Sequence, residues 1–87
     1  MRRVSGTVLR FFAAARAAVG VDEVTVDGID APSLDAALRS VDAADPARWT
    51  ALQERCSYLV DGVTTRDRST SLDGVAVVDV MPPFAGG

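Results

Sequence analysis

The stretch Ser33 to Val41 carries a full set of helix signals, and several segments on either side of it alternate with the period of a strand. Ser33 can accept a hydrogen bond as N-cap, and Asp35 complements the helix dipole. Leu34, Ala37, Leu38 and Val41 follow the i, i+3, i+4, i+7 spacing that puts one apolar stripe toward a core. A helix with one apolar stripe has to be covered, and here strand-like segments are at hand to cover it.

Upstream, Val4 to Phe12 reads as a strand, with Val8 and Phe12 on one face and Thr7, Leu9 and Phe11 on the other. Ala13 to Val19 is alanine-rich and predicts a short helical turn, which Gly20 is suited to end in the left-handed conformation. Glu23 to Gly28 alternates and closes on Asp27-Gly28, which predicts a second strand paired with the first. Downstream, Asp45-Pro46 opens a shorter helix on which Trp49, Leu52 and Cys56 share a face. Ser57 to Val60 reads as a strand ending at Asp61-Gly62, and Asp73-Gly74 precedes another from Val75 to Met81. The polar stretch Thr64 to Leu72 between them has room for one very short strand. The pattern is that of an α+β domain: a mixed sheet of four to five strands packed on one main helix. A chain of 87 residues supports one such core, so residues 1–81 are assigned to the domain and residues 82–87 to a tail.

Several function classes are excluded by what the chain contains. With one cysteine, Cys56, it has neither a disulfide framework nor the four thiolates of an iron–sulfur cluster. With no histidine and no acidic cluster at metal-ligand spacing, it offers no metal site and lacks the commonest general base. All nine cationic side chains are arginines spread along a chain of net charge −3, which gives no basic footprint for nucleic acid. No apolar run is long enough to span a membrane, and the opening Met1-Arg2-Arg3-Val4-Ser5 leads into strand-like residues, so the chain is read as cytoplasmic. Cys56 and Trp49 lie on an apolar helix face and are read as core, and Asp61-Gly62 as a turn.

The end of the sequence is unlike the rest. A strand runs into Pro82-Pro83, which should direct the chain stiffly away from the sheet, and Phe84-Ala85-Gly86-Gly87 can then reach about 13 Å further when extended. Glycine has no Cβ, so Gly86 and Gly87 can thread a channel too narrow for other residues. The terminal carboxylate of Gly87 is the one group that combines slenderness, exposure and reactivity.

Three blocks of the sequence resemble the MoaD/ThiS family of ubiquitin-like sulfur carriers, and within it the small subunits of molybdopterin synthase. They are Leu9 to Gly20, Arg55 to Gly62, and Leu72-Asp73-Gly74 leading to Pro82-Pro83-Phe84-Ala85-Gly86-Gly87. Val75 stands where the family usually has an acidic residue, and the bulky Phe84 follows the prolines. The resemblance implies a β-grasp fold and a protein that is not catalytic alone. It implies that Gly87 is adenylated and then thiocarboxylated, and that Gly86, Ala85 and Phe84 thread the partner's channel. Sulfur then passes to cyclic pyranopterin monophosphate in molybdenum cofactor biosynthesis. The implied partners are an E1-like adenylating enzyme of the MoeB type, a large subunit of the MoaE type, and a sulfur donor such as a cysteine desulfurase or rhodanese. ATP and magnesium belong to the activating enzyme, with no cofactor on this chain. Matching the family's blocks places Phe12, Arg16 and Met81 on the docking surface. Service to thiamin thiazole or another sulfur pathway, or attachment to proteins as a ubiquitin-like modifier, are the alternatives.

Overall fold

A computed structural model describes residues 6–83. The elements are β1 (Gly6–Phe11), α1 (Ala13–Val19), β2 (Glu23–Asp27), α2 (Leu34–Ser40), α3 (Pro46–Gln53), β3 (Ser57–Val60), β4 (Val63–Thr65) and β5 (Val77–Met81). The five strands form one sheet in the order β2-β1-β5-β3-β4. β1 and β5 are parallel neighbours at its centre, and every other pairing is antiparallel. A first and a last strand side by side, with helices packed over one face, is the ubiquitin-like β-grasp.

Alternation sorts the strands into two faces. Thr7, Leu9 and Phe11 of β1, Val78 and Val80 of β5 and Tyr58 of β3 are buried beneath the helices, as the period-two reading of β1 anticipates. Three helices of similar length share the helical layer: α1 contributes Ala15, Ala18 and Val19, α2 contributes Leu34, Ala37 and Leu38, and α3 contributes Trp49. Trp49 meets Phe11 edge-to-face with ring centroids 5.5 Å apart.

Several of the orphan groups at the ends of α2 find partners outside the helix ladder. At its N-terminus, Ser33 Oγ accepts from Ala36 N, while Leu34 N and Asp35 N donate to the carbonyls of Thr70 and Arg68. At its C-terminus, the Ala37 carbonyl accepts from Ser40 Oγ and the Leu38 carbonyl from the Trp49 indole at 3.2 Å. The same loop, residues 66–70, also sends Arg68 to Asp35 Oδ1 and Gln53 Oε1, both at 2.8 Å, which ties α2 to the end of α3.

Two strand starts differ from the sequence reading. β5 begins at Val77 rather than Val75, because the Asp61 carboxylate takes the N–H groups of Ala76 and Val77 at 3.0 Å, ahead of regular pairing with β3. β4 begins at Val63, just before the polar stretch, because Asp61 (φ 47°) and Gly62 (φ 86°) form a two-residue turn of mirror-image type that closes a tight hairpin on Val60.

Gly20 ends α1 at φ 97°, and its N–H donates to the Arg16 carbonyl. An added Cβ there would stand 3.1 Å from the Ala44 Cβ. Gly20→Ala is therefore expected to destabilise the domain by about 1–2 kcal/mol, from the left-handed conformation alone and with crowding added to it. Urea unfolding measures this as a lower midpoint at unchanged slope.

Candidate functional site

The strand that leads toward the tail is paired along both of its edges. β5 pairs with β1 through Val8↔Val77, Leu9↔Val78, Arg10↔Asp79 and Phe11↔Val80, and with β3 through Ser57↔Met81 to Val60↔Val78. Past Met81, Pro82 is buried and Pro83 exposed. The chain thus stays packed for one residue beyond the strand, and the departure expected from Met81 onward begins at Pro83. Phe84, Ala85, Gly86 and Gly87 lie outside the described residues.

Val8, Arg10, Leu59, Val77, Asp79 and Met81 project from the sheet face that the helices leave open. At its centre Arg10 grips Asp79 with two hydrogen bonds, Nε to Oδ1 at 2.6 Å and a terminal nitrogen to Oδ2 at 3.0 Å. The pair joins the two parallel strands, and bonding to Asp79 holds the Arg10 guanidinium further toward its charged form. The guanidinium also lies 6.0 Å from the centroid of the Phe12 ring. Sequence reading missed this pair; Arg10 alternates with Val8 and Phe12, and Asp79 lies in the middle of β5, but only the parallel register puts them together.

Phe12 and Met81 each stand one residue past the Phe11↔Val80 pair, so both lie where β1 and β5 end. Phe12 is 37% exposed, which separates it from the core ring of Phe11 next to it. Arg16 is on the solvent side of α1 rather than on the sheet, and its guanidinium is engaged by Asp22. Phe12 and Met81 thus mark the tail end of the sheet, with Arg16 one helical turn to the side.

Cys56 is buried, and burial pushes its thiol up to about 11, so it stays protonated at neutral pH. It packs in the core as expected, but not on a helix face: α3 ends at Gln53, and the turn at Glu54-Arg55 puts Cys56 immediately before β3. Tyr58 is also buried, and its hydroxyl donates to the Gln53 carbonyl at 2.6 Å. Among the described residues no group of three His, Cys, Asp or Glu side chains could hold a metal ion, and no helix is long and apolar enough to cross a membrane. A concavity of about 660 Å³ is bordered by Gly6, Ile29, Leu72 and Gly74, and neither Phe12 nor Met81 lines it.

Among curated proteins none matches this sequence. The ThiS family does match it, over residues 9–87, and so through both the sheet and the Gly86-Gly87 end. The chain belongs to the ThiS family. Members of that family are small ubiquitin-like carriers that are not catalytic themselves and interact with E1-like activating enzymes. Two solved structures are similar to this ThiS-family chain. The crystal structure of SAMP1 from Haloferax volcanii is 19% identical with a TM-score of 0.73, covering 94% of this chain and 99% of that one. The solution structure of the Haloferax volcanii HVO 2177 protein is 26% identical with a TM-score of 0.63, covering 100% of this chain and 92% of that one. At its level of identity the SAMP1 likeness is one of fold, and it establishes the β-grasp independently of the strand order.

Proposed function

We propose that this protein is the sulfur-carrying small subunit of a molybdopterin synthase, acting in the cytoplasm with its working group at Gly87. The observation that carries the reading is the family match running through Pro82-Pro83-Phe84-Ala85-Gly86-Gly87, on a β-grasp whose central strand ends at Met81.

A MoeB-type E1-like enzyme uses ATP and magnesium to join the Gly87 carboxylate to AMP, releasing pyrophosphate. The carboxylate has to be activated because oxide is a poor leaving group, whereas AMP leaves readily from the mixed anhydride. The outer sulfur of a cysteine persulfide on a desulfurase or rhodanese then attacks the acyl carbon and AMP leaves, giving an acyl disulfide. A thiol reductant attacks the donor cysteine's sulfur, breaks the S–S bond and releases the Gly87 thiocarboxylate. Gly87 has no side chain to shield that carbon. In a MoaE-type large subunit, Gly86, Ala85 and Phe84 thread the channel and the sulfur passes to cyclic pyranopterin monophosphate. Phe12 and Met81 form the docking edge beside the tail, with Arg16 at its rim.

Incubation with the activating enzyme, ATP, magnesium and a sulfur donor is expected to raise the intact mass by the sulfur-for-oxygen difference. Cys56→Ala is expected to gain the same mass, since the native thiol is buried and protonated. A gain of one whole sulfur atom that disappears in Cys56→Ala would move the sulfur to that thiol as a persulfide, and accumulation of amide-linked protein adducts would make the chain a modifier.

A further inference from the structure

β2 is an edge strand, and its hydrogen-bonding directions can be read from two contacts. Phe11 N donates to the Asp22 carbonyl at 2.8 Å, so Asp22, Val24 and Val26 turn their backbone groups toward β1. Val8 N donates to the Ala76 carbonyl at 2.9 Å, so the alternate residues of β1 turn toward β5, in agreement with that parity. Glu23 and Thr25 therefore point both N–H and C=O out of the sheet, and these four groups have no partner among the described residues. Both residues are exposed.

The side chains along this edge share one sign. Asp22, Glu23, Asp27 and Asp30 are all exposed. Asp27 also accepts from Ile29 N at 2.8 Å, which fixes its carboxylate at the end of the strand. Arg10, across from Glu23, is bonded to Asp79, and Arg16 offsets Asp22 at one end of the edge, which leaves Glu23, Asp27 and Asp30 without an ion-pair partner among the described residues.

This arrangement discriminates between occupants. A second copy pairing antiparallel through Thr25 would set Glu23 against Asp27 twice, and directly opposed like charges destabilise a strand pair. An extended segment with arginine or lysine at alternate positions meets the same four backbone groups with opposite charge. We propose that the β2 edge is a docking site for a basic, extended segment of a partner protein, added as a sixth strand and distinct from the tail-end surface.

The test uses the full chain and a capped ten-residue peptide alternating valine and arginine, followed by amide shifts in NMR titration. The expected result is shifts concentrated at Glu23, Thr25 and their neighbours, weakening steeply with salt, and none from the peptide alternating valine and glutamate. Thr25→Pro removes one outward N–H without touching the β1 ladder, and is expected to weaken binding at least about fivefold. Glu23→Gln/Asp27→Asn keeps the Ile29 cap while removing the charge. It is expected to lose the arginine peptide and to gain concentration-dependent self-association. Binding unchanged in both variants, or shifts confined to another surface, would overturn the proposal. Thiocarboxylation at Gly87 is expected to proceed normally in both variants, so this result and that of the carrier reading are separable.

Discussion

Deletion of Gly87, or a residue added after it that no protease removes, is expected to abolish thiocarboxylation while leaving unfolding unchanged. One residue of extended chain is about 3.5 Å, and a misplacement of a single ångström at a reacting centre can cost about 100-fold. An acyl carbon withdrawn by a whole residue is therefore expected to lose at least about 100-fold in rate. The fold is indifferent to the change because the buried hydrophobic cluster runs from Leu9 to Val80. Intact-mass kinetics with the activating enzyme, beside a thermal melt of the same sample, checks both halves. A truncated chain that still gained sulfur at the normal rate would remove Gly87 from the chemistry.

Trp49→Ala is expected to be the most damaging single change to the fold, costing about 3–5 kcal/mol of a total near 5–15. Trp49 is buried, meets Phe11 edge-to-face, and gives its indole N–H to the Leu38 carbonyl near the end of α2. Truncation leaves a cavity between α3 and the sheet and strips a helix-terminal carbonyl of its partner. Trp49→Phe keeps an aromatic contact and loses only the hydrogen bond, so it is expected to cost about 1–2 kcal/mol. Denaturant unfolding of the pair separates packing from hydrogen bonding, and equal losses in the two would place the effect in the hydrogen bond.

How far the sequence could be read depended on how local each cause is. The Ser33 cap, the Gly20 stop and the Asp45-Pro46 start each rest on neighbours within four residues, and each is where the pattern put it. Arg68 gave no signal at all, because its partners Asp35 and Gln53 are 33 and 15 residues away. The start of β5 was misplaced for the same reason, since the carboxylate that delays it belongs to Asp61. At the candidate site, alternation along β1 separated Phe12 from Phe11 and so exposed one ring while burying the other. The Arg10–Asp79 pair stayed hidden because alternation says which face a residue takes and nothing about which strand lies beside it. The family resemblance grouped Arg16 with Phe12 and Met81, whereas α1 carries it to the solvent side, off the sheet.

The double pairing of β5 also has a mechanical side. A partner that draws the tail into a channel pulls along the axis of β5, and the bonds to β1 and β3 run across that axis. They carry the load in shear, all together, instead of opening one at a time from an end. The Arg10–Asp79 clasp bridges two of the loaded strands at mid-length. Force on the tail is thus spread into the middle of the sheet, and the domain can be towed by its last residues without being unravelled by them.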